Sequence, residues 1–335
     1  MSEPIPVAVI GVGHMGRHHA RIYHELPETR LVAVVDRDAG RAGEIAHKHE
    51  CEALTEPDKI LDKVRAVSVS VPTVHHLEAA RPFLERGVAA LIEKPIAGTP
   101  DEAEELLALA RRHHALIQVG HTERFNPVVT AIGRMGITPK FIETHRISPF
   151  TFRSADIGVV MDMMIHDIDI VLHLVRDRNP RVDAVGVNVL GPHEDIANAR
   201  LRFGNGCVAN LTASRLALKT ERKIRVFSHE AYLSLDYQKK SGIAIKKDAN
   251  LDVLKLARER NADDLAQLAG TDFGKMVKVE PLIIEDAEPL KAELEAFIHC
   301  VRTGDTPPVT AEDGAAAVRL AHEITDSIKS HSWHG

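Results

Sequence analysis

Pro6-Val7-Ala8-Val9-Ile10-Gly11-Val12-Gly13-His14-Met15-Gly16 opens the chain with an apolar run that passes straight into G-x-G-x-x-G. Residues 6–10 carry no polar side chain and read as a strand buried on both faces. A helical pattern follows from about Met15 to Leu26. In this strand–turn–helix setting each glycine has its own task. Gly11 permits the tight turn, Gly13 lets a pyrophosphate approach the backbone, and Gly16 lets helix and strand pack closely. The glycine pattern alone is weak. Asp36 strengthens it, because it ends the next apolar run, Leu31–Val35, twenty residues after Gly16. A carboxylate there accepts hydrogen bonds from the adenosine ribose and repels a 2′-phosphate, which favours NAD over NADP; Arg37 beside it softens that preference.

Working outward, further apolar runs recur at Ala66–Ser70, Ala89–Ile92 and Leu116–Val119, with helical patterns between them. The clearest helix runs from Thr99 to His114. There Thr99 suits the cap, Pro100 the first turn, and Asp101 and Glu102 the positive end of the dipole. Apolar strands alternating with helices predict a parallel sheet covered on both faces. After about Gly120 the pattern changes. A helix over about Val159–Val175 precedes strands of period two, such as Ala197–Phe203 and Ile224–Phe227, with a hairpin turn at Gly204-Asn205-Gly206. Helices are expected near Pro289–Arg302 and Ala311–Ser330, while the charged, aperiodic stretch from Lys246 to Lys278 gives no reading. The expected fold is α/β. Residues 1–120 form a Rossmann domain, and residues 121–335 an α+β domain for substrate and oligomerisation, with a largely antiparallel, open-faced sheet. The last helices are free to pack back on the first domain.

The composition agrees with this. Length 335 favours two domains, and hydrophobic and charged shares of 44% and 27% are those of a globular protein. A net charge of −6 without a Lys/Arg block argues against nucleic acid as partner, and Thr220-Glu221-Arg222-Lys223 reads as a solvated strand end. Cys51, Cys207 and Cys300 form no C-x-x-C pair, which suits a reducing cytosol rather than a disulfide framework or zinc site. No run reaches membrane-spanning length, and no basic leader precedes the first strand, so a cytoplasmic location is expected.

Glu93-Lys94-Pro95 follows the strand at 89–92. Together with the glycine fingerprint, Pro72 to His76, Gly120-His121 to Arg124-Phe125-Asn126, Asp162 to His166, and Ala311-Glu312-Asp313-Gly314, it resembles the Gfo/Idh/MocA oxidoreductase family over nearly the whole chain. Within that family, Arg146-Ile147-Ser148-Pro149-Phe150 to Arg153, Asp156, and Met161 to Asp169 look like the branch that oxidises the 3-hydroxyl of UDP-N-acetylglucosamine before amination for lipid A. Thr73 stands where the family often has Asn, and Met164 where it often has Gly; a bulky Met reshapes one wall of the sugar pocket and tells against a simple cyclitol.

The resemblance implies NAD as cofactor, held by Gly11, Val12, Gly13, His14, Met15, Gly16, Asp36, Arg37, Val71, Pro72, His76, Glu93, Lys94 and Arg124. It implies a substrate site of Lys94, Arg124, Asn126, Asp162 and His166. Oxidising a secondary alcohol requires a base, and Lys94 and His166 are the two candidates. An ordinary lysine, at about 10.4, serves only if its pKa is lowered; burial beside a cationic nicotinamide does that. The plain alternative is a surface lysine at a strand end. Pro95 disfavours helical geometry at Lys94 and admits a cis or a trans bond.

Asp162 and His166, four apart on a helix, share one face, with Asp162 to bind a sugar hydroxyl and His166 to contact the reacting one. A structurally satisfied histidine is the alternative. A metal on Asp162, His166, Asp169 and His173 is disfavoured, since one straight helix wraps an ion badly. A diphosphate substrate needs cations, for which Arg146, Arg153 and Arg215 are candidates beside the plainer reading as surface arginines. Two further functions stay open: an inositol or free-sugar dehydrogenase of the same family, and a non-catalytic NAD-sensing regulator. The open sheet face predicts a homodimer or homotetramer.

Overall fold

The computed structural model describes residues 3–151, 157–247, 277–282 and 287–331. Arg153, Asp156 and most of the stretch from Lys246 to Lys278 lie outside them.

The first sheet is wholly parallel. β1 (Ile5–Ile10), β2 (Thr29–Val35), β3 (Glu52–Leu54), β4 (Ala66–Val69), β5 (Ala89–Glu93) and β6 (Ile117–Gly120) lie in the order β3-β2-β1-β4-β5-β6. α1 (Gly16–Glu25), α2 (Ala39–Lys48), α3 (His76–Leu84) and α4 (Pro100–His113) connect them. β1 shows why its sequence is apolar throughout. Ile5, Val7 and Val9 pack with Ile22, Tyr23 and Phe297 on one face, while Ala8 and Ile10 join a second core on the other. α4 begins as its residues predict: Thr99 Oγ1 accepts from Glu102 N, and the Glu102 carboxylate accepts from Thr99 N. β3 escapes the hydrophobic pattern because it is a three-residue edge strand with two exposed side chains.

The second sheet is mixed. β7 (Phe141–Ile147), β8 (Arg181–Val187), β9 (Ile196–Arg202), β10 (Val208–Ser214), β11 (Glu221–Phe227), β12 (Ala231–Asp236), β13 (Ser241–Lys247) and β14 (Val277–Pro281) run in the order β14-β13-β12-β11-β7-β10-β9-β8. Only the β7–β10 pair among these is parallel. β9 and β10 form the expected hairpin, with Gly206 at φ +84°. A short helix α5 (Pro127–Arg134) precedes this sheet, and α6 (Ile165–Val175) packs on it behind a π-helical turn, Val160–Met164.

The last two helices return to the first sheet. Leu294, Phe297 and Ile298 of the helix Pro289–Thr303 enter the core beside β1. The helix Ala311–Ser330 follows Val309, whose carbonyl accepts from Val119 N at 3.1 Å. Its Gly314 lies so near β6 that a Cβ there would meet Val119 at 2.7 Å. The two sheets therefore share a core, which fixes the carboxyl ends of β5 and β6 against α6. No helix of the described residues is long and apolar enough to cross a membrane.

Candidate active site

The glycine turn has the geometry its residues call for. Gly11 takes φ +85° and donates its N–H to Val35 O at 2.7 Å. A Cβ on Gly16 would fall 1.8 Å from Gly11 O, so helix and turn meet only because both lack side chains. Gly13 differs: a Cβ there meets nothing within 4 Å. That open backbone at the start of α1, with no side chain capping the helix, is a cradle fit for a pyrophosphate. His14 is exposed above it, 3.3 Å from the Arg17 guanidinium. Asp36 closes the turn from β2, accepting from Val12 N at 2.9 Å and from Asp38 N at 3.0 Å. Arg41, which the sequence reading passed over, reaches the same carboxylate at 3.4 Å; Arg37 turns outward toward Glu78.

Lys94 stands at the end of β5, joined to Pro95 by a cis bond. Its Nζ donates to the backbone carbonyl of Asp162 at 2.8 Å and lies 3.7 Å from the Asp162 carboxylate. Burial lowers the Lys94 pKa, while Asp162 and Glu93 oppose that fall. The wide turn that presents Asp162 is held by Glu194, whose Oε1 accepts from Val160 N and whose carbonyl accepts from Val159 N, both at 3.1 Å. π turns of this kind recur at functional sites.

His166 opens the α-helical part four residues on, half-buried, with its Nδ1 buried and without a partner among the described residues. Burial, then the positive field of Lys94 and Arg146, hold its pKa well below the usual histidine range. The ring is a neutral imidazole, able to accept a proton.

Behind Lys94 lies a buried polar layer. His19 Nε2 donates to Glu93 Oε1 at 2.9 Å. Glu293, fully buried next to Glu93, accepts from Thr122 Oγ1; burial and the Glu93 charge push its carboxyl well above the usual range, so it is a neutral acid. His76 lies between Pro95 O and Val71 O, with a ring nitrogen 2.9 Å from each, and in its neutral form donates to one of the two. It therefore clamps the loop after β4 to the loop that carries Lys94, with burial lowering its pKa. Val71 and Pro72 border this clamp, Pro72 exposed.

The arginines expected at the substrate are held elsewhere. Arg124 is buried in a two-pronged bond to Asp169, at 2.7 and 2.9 Å. Arg146 binds Asp167 in the same way and also reaches Glu123 at 3.1 Å. Arg215 bonds Asp195 Oδ1 at 2.6 Å and Ile157 O at 2.7 Å. A buried guanidinium requires such partners, so these three brace the walls of the site. Asp169 is likewise committed to Arg124 rather than turned toward His166. Asn126 caps α5 through Val128 N and donates to Glu123. A cation overlooked in the sequence is Arg222, on the β11 strand opposite Arg146. It is exposed, its nearest acid is Glu123 at 3.9 Å, and its charge is felt at His166. In the sequence it passed as a solvated strand end; only strand register shows its neighbours.

A parallel nucleotide-binding sheet with lysine, carboxylate and imidazole at its carboxyl edge defines a nicotinamide-dependent oxidoreductase. Profiles of one family match both halves: an NAD-binding Rossmann fold at residues 5–121 and a C-terminal alpha/beta domain at residues 150–334. The chain belongs to the Gfo/Idh/MocA oxidoreductase family and uses NAD. It is 39% identical over 230 residues to UDP-N-acetylglucosamine 3-dehydrogenase of Acidithiobacillus ferrooxidans, covering 68% of this chain and 73% of that protein. The crystal structure of that enzyme, GnnA, superposes with a TM-score of 0.86 at 30% identity, over 98% of this chain and 99% of that one. The NAD(+)-dependent scyllo-inositol 2-dehydrogenase of Bacillus subtilis is 24% identical over 98% of this chain and 96% of its own.

Proposed function

We propose that this chain oxidises the 3-hydroxyl of UDP-N-acetylglucosamine to the 3-keto sugar. The observation that carries the reading is the meeting of Lys94 with Asp162 at 2.8 Å, one helical turn before the neutral imidazole of His166. NAD held at the Gly11–Gly16 turn would supply the hydride acceptor for the carbinol carbon. His166 takes the hydroxyl proton. The Lys94 ammonium steadies the charge growing on that oxygen, and Asp162 orients a neighbouring hydroxyl. Arg124, Arg146 and Arg215 keep these groups in place from behind. Among the described residues, Arg222 is the cation this reading assigns to the diphosphate. The similarity to the Acidithiobacillus enzyme supports the nucleotide sugar.

On the same reading the domain boundary falls near residue 120, the enzyme is cytoplasmic, and its product supplies an amination step toward lipid A. The open face of the second sheet, where Phe227 packs on Phe141 and Tyr232, joins subunits of a dimer or tetramer. An inositol dehydrogenase is the second reading, favoured by the inositol-oxidising relatives. Purified protein with NAD+ is offered UDP-N-acetylglucosamine, UDP-glucose, myo-inositol and free glucose, and NADH absorbance is followed. Turnover of UDP-N-acetylglucosamine above all others is expected. Preference for myo-inositol replaces the proposal with the second reading, and NAD binding without turnover of any of them points to a regulator.

A further inference from the structure

His19 and Tyr23 lie four residues apart on α1 and so share one face. Both are fully buried, and each makes one side-chain hydrogen bond into the first sheet. Tyr23 Oη meets Ser68 Oγ of β4 at 2.8 Å, and His19 Nε2 meets Glu93 Oε1 of β5 at 2.9 Å. α1 lies low enough for this because Gly16, in its first turn, passes the Gly11 carbonyl without a side chain. The helix that opens on the glycine turn is thus bonded across β4 to the strand that leads into Lys94.

The His19 ring is committed to that one contact: its Nδ1 is buried without a partner among the described residues. Glu93 has few donors as well. Its Oε1 accepts from His19, and its Oε2 accepts from the backbone N–H of Lys94 at 3.3 Å. The carboxylate packs against Gly120 of β6, where a Cβ would stand 3.2 Å from Glu93 Cδ. Burial pushes the Glu93 carboxyl up, but the His19 bond and the Lys94 charge outweigh it and hold it below the usual range. A buried carboxylate that loses a donor must reorient toward another. The other donor on Glu93 is the peptide of Lys94 itself.

We infer that His19 is a positioning residue for Lys94: by fixing the Glu93 carboxylate from α1, it fixes the peptide from which Lys94 reaches the Asp162 carbonyl. Being wholly buried, His19 acts through Glu93 rather than on a ligand. A lysine side chain is long and flexible. Its ammonium is therefore placed only as well as its backbone and its far contact are. Through His19 and Glu93 the glycine-turn helix and the lysine belong to one frame, which sets the ammonium relative to whatever that turn holds. Misplacement by about 1 Å at a reacting centre costs about 10²-fold in rate. The inference rests on the part of Lys94 in the proposed oxidation, but not on which sugar is oxidised.

The test compares wild type, His19→Gln, His19→Asn, Tyr23→Phe and Lys94→Ala with NAD+ and whichever of UDP-N-acetylglucosamine or myo-inositol the wild type oxidises, with rates counted per folded molecule. Glutamine brings an N–H donor near the position of Nε2, whereas asparagine is too short to reach Glu93. His19→Asn should lose about 30- to 100-fold in kcat, with substrate KM and NAD affinity within about threefold of wild type. His19→Gln should recover to within about fivefold. Tyr23→Phe deletes the neighbouring bond of the same helix, to a strand that carries none of the reacting groups. It should lower the melting temperature while leaving kcat within about twofold. Wild-type kcat in His19→Asn, or an equal loss in His19→Gln, while Lys94→Ala loses turnover, overturns the positioning role alone. An equal kcat loss in Tyr23→Phe overturns it as well, since general loosening of α1 then accounts for the effect. So does failure of both His19 variants to fold, which makes the pair a prop of the fold. A fully active Lys94→Ala, or a wild type that oxidises neither compound, overturns the reading of Lys94 and the role of His19 with it.

Discussion

Nζ of Lys94 and the main-chain oxygen of Asp162 lie 2.8 Å apart, which ties the residue just after β5 to the wide turn ahead of α6. The bond uses the carbonyl, so the Asp162 carboxylate, 3.7 Å away, keeps acceptor capacity for a ligand. If Lys94 steadies the developing oxyanion, its loss removes a term that matters only in the transition state. Lys94→Ala should lower kcat by about 10²–10⁴-fold. Because the glycine turn follows β1, two strands away from β5 in the sheet, NAD affinity by fluorescence titration should change by no more than about threefold. Retention of full turnover would remove Lys94 from the chemistry.

The buried imidazoles predict how stability follows pH. His76, His121 and His166 are all lowered from 6.5, mainly by burial. Below pH 6.5 the unfolded chain takes up protons that the folded chain refuses. Their contribution is therefore fully present above 6.5 and is lost as pH falls toward the folded-state values. Thermal melts should show Tm declining between pH 7 and pH 5. Replacing His121 by Phe should flatten that decline. An unchanged Tm across the interval would mean that these rings are charged in the fold, or solvated.

Arg146 and Arg222 face one another across β7 and β11 but predict opposite phenotypes. Arg146 is 3% exposed and neutralises the buried Asp167 and the half-buried Glu123, so Arg146→Ala strands a buried carboxylate and should cost about 3–5 kcal/mol in denaturant unfolding. Arg222 is exposed and near its nearest acid only at 3.9 Å. Arg222→Ala should leave stability within about 0.5 kcal/mol and raise KM for the nucleotide sugar several-fold, with KM for NAD unchanged. A raised KM from neither, or from Arg146 alone in folded protein, would move the diphosphate elsewhere.

What the sequence made legible was whatever local chemistry controls. The turn from Gly11 to Gly16, the Thr99 cap and the hairpin at Gly204-Asn205-Gly206 depend on backbone conformation and near neighbours, and they are where the residues place them. The arginines misled because a guanidinium that binds phosphate and one that binds a buried aspartate look alike in sequence; Arg124 and Asp169 are 45 residues apart. His121 and Glu293 are silent for a related reason. Their unusual states come from burial among groups of β5, α6 and a helix near the chain's end, which no short motif encodes. The second sheet was read in type but not in full, since β8 and β12 lack a strong local signal beyond alternation.

Gly13 and Gly16 separate cofactor binding from folding within four residues. A methyl at Gly16 collides with the Gly11 carbonyl at 1.8 Å, and backbone cannot swing aside as a side chain end can. Gly16→Ala should therefore destabilise the fold by at least about 1–3 kcal/mol, visible as a lowered melting temperature without any ligand. A methyl at Gly13 meets no protein atom within 4 Å and adds no positive φ to tolerate. Gly13→Ala should melt as wild type does, yet bind NAD about ten- to a hundredfold more weakly, because the methyl enters the space where the pyrophosphate meets backbone N–H groups. Calorimetric titration of NAD into both variants reads the difference directly. Wild-type affinity in Gly13→Ala would show that the diphosphate does not approach the backbone there.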